Sequence, residues 1–273
     1  MNYLTTNLKK TTSKLILLTC VAMMTLSLNS CIKSGEDPLD NGGEIPGLGN
    51  AEGSLTGTPF KLPDGIELTD DITGASYSEY YWDLYSANVR NFVEKDGTVK
   101  NMILPVWTRA EEANESHFRG SGYGYVDLLI PLRNTRSTPV EVTIPAATII
   151  LSKAGDCQHG VLIKKVTFTI PANGSYRLIL SLYCGNLSKD SAGTGDIYIW
   201  GVVSNAQALL DLCDRVKNKK INIEEFVSTS STDENTYDRQ VSRLQSIVWE
   251  ITDYSGKLSD DDIAYINALP NSN

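Results

Sequence analysis

The sequence predicts an α+β chain, an antiparallel β-sandwich followed by a helical C-terminal region packed against it. From Gly124 to Cys184, short β-rich runs are separated by Gly, Pro and Asn turns at close intervals, which is the sandwich pattern. After Ser204 the apolar spacing lengthens to the three-and-four repeat of helices. The expected division is a leader at 1–30, a flexible tether at 31–58, the sandwich with an aromatic N-terminal portion at 59–203, and the helical region at 204–273. The last two are expected to form one globular unit.

The leader carries a basic start, Lys9, Lys10 and Lys14, and an apolar run from Leu15 to Leu26. That run is too short, and too soon followed by polar residues, to span a bilayer comfortably. It ends in Leu28-Asn29-Ser30-Cys31, a leucine three places before a cysteine with a small residue between. The string resembles the bacterial lipobox, and the resemblance implies that Cys31 becomes the first mature residue and carries acyl chains. An ordinary signal peptide with an incidental cysteine is the rival reading. Behind it, Glu36-Asp37 resembles the export signal of Bacteroidetes lipoproteins, which implies the outer membrane and its outer face; the periplasmic face is the alternative. From Ile32 to about Thr58, Gly, Pro, Asp, Glu and Asn dominate, as in a tether.

Tyr77, Tyr80, Tyr81, Trp82 and Tyr85 then cluster, either as a packing edge of the core or as a stacking row for sugars. Val99–Leu104 reads as strand, broken by Pro105. The clearest strands are 125–132, 140–144, 148–151, 161–163, 166–170 and 176–183, and another runs from Ile197 to Val203. Asn205 is placed to cap a helix carrying Leu209, Leu210, Cys213 and Val216. A second helix starts near Ser231, where Ser231 and Glu234 match a capping box, and turns Val241, Leu244, Val248 and Ile251 inward. A third starts at Ser259 with Asp260, Asp261 and Asp262 in its first turn. That acidic run complements the helix dipole and lacks the loop spacing of a calcium site.

Whole, the chain has 24 Lys and Arg against 33 Asp and Glu. Removing the leader takes three of the lysines and leaves −12 (21 against 33). That balance argues against nucleic acid as a partner, because its phosphates demand a basic surface. Anionic lipid would repel the chain too, so membrane attachment falls to the acyl group. Three cysteines remain beyond Cys31, and their odd number leaves at least one unpaired in an oxidising compartment.

Only two histidines occur, His117 and His159. No Gly-x-Ser-x-Gly, HExxH, CxxC, P-loop or dinucleotide fingerprint is present, so no enzyme class and no cofactor or metal is implied. Cys157-Gln158-His159 is a weak candidate, since neighbours in a loop generally point apart.

Tyr183-Cys184 together with Leu244-Gln245-Ser246-Ile247-Val248-Trp249 resembles the thioester domains of Gram-positive surface adhesins. The likeness is close only at those residues. It implies that Cys184 and Gln245 join through an acyl-sulfur bond, shielded by Tyr183 and Trp249, that captures a nucleophile on a protein or glycan surface. Two other readings stay open: Cys184 as a disulfide partner of Cys157 or a small buried hydrophobe, and Gln245 as a helix residue bonded to backbone. Cys213 fits the buried face of its helix.

Overall fold

The computed structural model describes residues 45–75, 89–93, 99–103, 116–226 and 231–272, with 89–93, 99–103, 116 and 231–235 by backbone alone. Its strands are β1 (Gly57–Pro59), β2 (Ile66–Leu68), β3 (Ile72–Gly74), β4 (Val89–Val93), β5 (Val99–Ile103), β6 (Ser116–Gly120), β7 (Val126–Asn134), β8 (Val140–Ile144), β9 (Thr148–Ser152), β10 (Gly160–Leu162), β11 (Val166–Ile170), β12 (Ser175–Cys184) and β13 (Ile197–Ser204). Among the described residues three α-helices follow: α1 (Gln207–Val216), α2 (Ser231–Thr252) and α3 (Asp260–Ala268). None is long and apolar enough to cross a membrane. The expected leader, Cys31 and Tyr77, Tyr80, Tyr81, Trp82 and Tyr85 lie outside the described residues.

The expected sandwich is corrected to a barrel. Six strands close on themselves in the order β7-β3-β13-β9-β10-β12, every pair antiparallel, with β12 returning to β7. β1, β2 and β6 are added at edges, β6 parallel to β12. The cause lies in the pairing. An alternating strand buries one face equally well in a sandwich or a barrel. Closure is decided by β7 meeting β12 along Arg133↔Ser175 to Val126↔Leu182, and by short β3 bridging β7 to β13. A three-residue strand such as Ile72–Gly74 has too little periodicity to announce itself.

Among the described residues, strands β8 and β11, expected within the sandwich, pair only with each other. Each connects two barrel strands at the same end, where β7 and β10 finish and β9 and β12 begin. Val142, Ile144, Val166, Phe168 and Ile170 thereby join the interior cluster of Val126, Leu128, Ile130, Leu178, Leu180 and Leu182. The ribbon closes that end, and the opposite rim holds Cys184, Val126 and Gly160.

A second core fills the space between barrel wall and helices. Ile149, Val161, Ile163, Tyr183 and Val202 meet Leu209, Leu212, Val216, Val241, Leu244, Val248, Ile251 and Ile266. This explains why 178–184 is a nearly continuous apolar run: β12 is covered on both faces, by the barrel interior and by helices. Leu209, Cys213 and Val216 are buried on α1 and Leu210 is half-buried, while α1 begins at Gln207 after Ala206 without a side-chain cap bond. At α3, the Ser259 hydroxyl accepts from the Asp262 N–H and Asp262 accepts in return from the Ser259 N–H. Asp262 also takes the Arg243 guanidinium at 2.6 Å, so this acidic run is a helix cap tied to α2.

Ile45, Leu48 and Leu55, from the stretch expected as tether, are buried in the second core. Their segment runs directly into β1.

Candidate functional site

At the rim opposite the ribbon, β12 delivers Cys184 with its side chain in the interior cluster and Tyr183, one residue earlier, in the outer one. Consecutive strand residues point to opposite faces. Tyr183, expected as a shield, therefore lies on the other side of the strand from the Cys184 sulfur. Its ring is fully buried beneath the helices.

Gln245 reaches β12 from the middle of α2. The Cys184 N–H donates to Gln245 Oε1 at 2.8 Å, and Gln245 Nε2 donates to the Cys184 carbonyl at 2.9 Å. The register explains why these groups were vacant. Leu182 pairs with Val126, so Cys184 would next face Gly124. Gly124 instead turns away with φ 78°, a conformation glycine adopts without steric cost. The Gln245 carboxamide stands where a strand residue would, completing the ladder of β12. It is 1% exposed, and both of its polar atoms are partnered, as burial requires.

Trp249, one turn beyond Gln245, donates its indole Nε1 to Cys184 Sγ at 3.2 Å. The Asn186 N–H approaches the same sulfur at 3.4 Å. Tyr125 packs on Trp249 with ring centroids 5.6 Å apart, and Tyr123 on Tyr125 at 5.6 Å. An aromatic row thus runs from exposed Tyr123 down to the sulfur. Burial pushes the Cys184 thiol up to about 11, against the opposing pull of the Trp249 and Asn186 donors. At neutral pH the thiol keeps its proton.

Cys157, Cys184 and Cys213 are each free and buried. His159 Nδ1 accepts from the Ser152 N–H at 3.1 Å, and the His159 N–H donates to Asn186 Oδ1 at 3.0 Å. Burial lowers this imidazole to about 4, leaving it a neutral brace of the loop. Among the described residues no three His, Cys, Asp or Glu side chains come together as a metal site.

Sequence reasoning passed over Asn186, Tyr125 and a polar group beneath α2. Asp127 faces Ser181 across the ladder, and among the described residues its Oδ1 is buried without a well-formed hydrogen bond, as are Ser121 Oγ, Tyr183 Oη, Tyr237 Oη and Gln240 Oε1. Burial raises Asp127 to about 6 and Glu224 to about 7, although Glu224 accepts from the Gly120 N–H at 2.9 Å. Both acids titrate higher folded than unfolded. The stability they contribute is complete below pH 4 and is lost as pH rises through 6 and 7. For Asp127 that loss is roughly 3 kcal/mol at most. Asp127→Asn is expected to raise the melting temperature at pH 8 by about 5 °C and to flatten its fall between pH 5 and 8. Thermal unfolding across that range checks this, and an unchanged slope would contradict it.

No known protein family, curated protein or solved structure matched the chain.

Proposed function

We propose that this chain is a lipid-anchored envelope protein of the adhesin class, displayed on the outer membrane, in which Cys184 and Gln245 form an internal thioester that captures a partner surface. The observation that supports it most is the meeting of Cys184, Gln245 and Trp249, 61 and 65 residues apart in sequence, at one rim of the barrel. The anchor rests on Leu28-Asn29-Ser30-Cys31 and the basic, apolar leader before it.

The chemistry balances within the pair. Cys184 Sγ attacks Gln245 Cδ, a carbon–sulfur bond forms, the Cδ–Nε2 bond breaks, and the thiol proton leaves with nitrogen as ammonia. Charge develops on Oε1 as the carbon becomes tetrahedral. The Cys184 N–H already points at that oxygen, the arrangement that stabilises an oxyanion. In capture, an amine or hydroxyl adds to Cδ, the carbon–sulfur bond breaks and the thiol is restored. Trp249 and Tyr125 cover the sulfur side, which water must not reach freely. Each molecule acts once, so this is capture and not enzymatic turnover.

A second reading is favoured by the reciprocal pairing itself: Gln245 as a non-covalent clamp holding α2 to the end of β12. Intact mass of the purified mature protein separates the two. The thioester predicts a mass lower by one ammonia, addition of one methylamine on incubation, and one further alkylatable thiol afterwards. An unchanged mass with no methylamine uptake leaves the clamp.

A further inference from the structure

The loop after Cys184 is held from outside by the segment around Gly49, before β1. The Gly49 N–H donates to the Gly185 carbonyl at 2.7 Å, and Asn186 Nδ2 donates to the Gly49 carbonyl at 3.0 Å. Ser188 Oγ donates to Asn50 Oδ1 at 2.8 Å at the exposed rim. Leu48, fully buried, sits among the residues beneath α2. A Cβ on Gly185 would come within 3.0 Å of the Leu48 side chain. Gly49 is itself pinned between two elements: its φ is 58°, and a Cβ there would fall 2.0 Å from the Thr252 carbonyl oxygen, at the end of α2.

Asn186 is the joint of this arrangement. It is 1% exposed. Its backbone N–H reaches the Cys184 sulfur, its Oδ1 accepts from His159, and its Nδ2 holds Gly49. From the other side, the Leu187 N–H donates to Asp253 Oδ1 at 3.1 Å, tying the same loop to the end of the helix that carries Gln245. The segment at Gly49 therefore touches both arms that present the reacting atoms, the loop after the cysteine and the C-terminal end of α2.

We propose that Asn186 is a positioning residue for the Cys184–Gln245 reaction and that the Gly49 turn is its brace, so that the segment before β1 governs how readily the bond forms and how long it survives. The proposal rests on the thioester reading above. Of the reacting groups Asn186 reaches only the sulfur, through its backbone N–H, and its side chain acts through the loop it braces. Freed from Gly49, the loop would let the sulfur drift from the carboxamide carbon, and ångström-scale misplacement of reacting atoms costs up to about a hundredfold in rate. It would also admit water. In hydrolysis, water adds to Cδ, the carbon–sulfur bond breaks, Cys184 regains its proton and Gln245 is left as glutamate.

The test uses the mature protein and two variants that break the brace from opposite sides. Asn186→Asp keeps the acceptor for His159 and replaces the donor to Gly49 by an oxygen. Gly49→Ala leaves Asn186 intact and forces the turn away from Thr252. Ser188→Ala, which removes only the rim contact, is the control. Intact mass gives the fraction lacking ammonia and its half-life in buffer, at a temperature where circular dichroism shows each protein folded. Both brace variants are expected to lose the bond at least about tenfold faster, with Ser188→Ala within twofold of wild type. A purely structural Asn186 would lower the melting temperature and leave these rates unchanged in the folded protein, which overturns the proposal. If Asn186→Asp does not fold, Gly49→Ala decides alone. A wild-type protein without the ammonia deficit removes the thioester reading itself, an outcome distinct from a wild type that carries the bond and brace variants that keep it.

Discussion

Cys184→Ser is expected to abolish the ammonia deficit and all methylamine uptake while leaving the fold intact. Serine is nearly isosteric with cysteine, and the backbone N–H and carbonyl that Gln245 holds are untouched by the change. The hydroxyl replaces a polarisable sulfur as the acceptor for Trp249, without a large change in volume. Gln245→Ala should abolish the same chemistry and also destabilise the protein. Relative to the intact carboxamide, it leaves the buried Cys184 N–H and carbonyl without partners, each at about 1–3 kcal/mol; relative to the thioester, which has already given up Nε2, it strands the N–H alone. The contrast discriminates between the two readings of the pair. Under the thioester reading both variants are chemically silent, and wild type stands apart from both in mass. Under the clamp reading all three have the mass of their own sequences and only Gln245→Ala melts early. An ammonia deficit persisting in Cys184→Ser would place the loss elsewhere in the chain and end the assignment.

A large loss of stability is also expected at a different place, from Glu225→Ala. Lys164, directly after β10, is buried, and its ammonium reaches the Lys219 carbonyl at 2.6 Å, Glu225 at 2.6 and 2.7 Å and Ser272 Oγ at 2.8 Å. Glu225 in turn accepts from the Ile221 and Asn222 N–H groups at 3.0 and 2.9 Å. This group ties the barrel to the chain after α1 and to the C-terminal residues. Removing the carboxylate strands a buried ammonium and two backbone donors, which costs about 3–5 kcal/mol and lowers the melting temperature by about 10 °C. Burial acts to raise the Glu225 carboxyl, but the Lys164, Ser272 and Asn222 donors outweigh it and hold the group low. Its contribution is therefore present above the ordinary carboxylate range and lost as pH falls through its depressed folded value. Calorimetry at pH 7 and pH 3 should find the gap between wild type and Glu225→Ala narrowing in acid. A gap under 1 kcal/mol at pH 7 would show that the pair only replaces solvation that water supplies equally well.

Much of the local structure was legible because it depends on neighbours in sequence. Val140–Ile144, Val166–Ile170 and the strand ending at Cys184 follow from alternation and their turns. The caps of α3 follow from Ser259 and Asp262, three residues apart. The burial of Val241, Leu244, Val248 and Ile251 follows from helical spacing. The pairing of Cys184 with Gln245 could be suspected only by resemblance, since nothing local in either stretch points to the other. Asn186 was invisible for a different reason: its partners, Gly49 and His159, lie 137 and 27 residues away, and a lone asparagine after a glycine reads as a turn.

By itself, the sequence determined the position of the longer strands and of the three helices and which face of each is apolar, because those depend on periods of two and 3.6 along a single segment. It also carried the acidic balance. Tertiary structure alone decided that β12 returns to β7 to close a barrel, that Gly124 turns away and leaves the end of β12 open to Gln245, and that Leu48 and Gly49 belong to the folded core. These are choices of partner among distant segments, set by register and by the need to bury both faces of one strand.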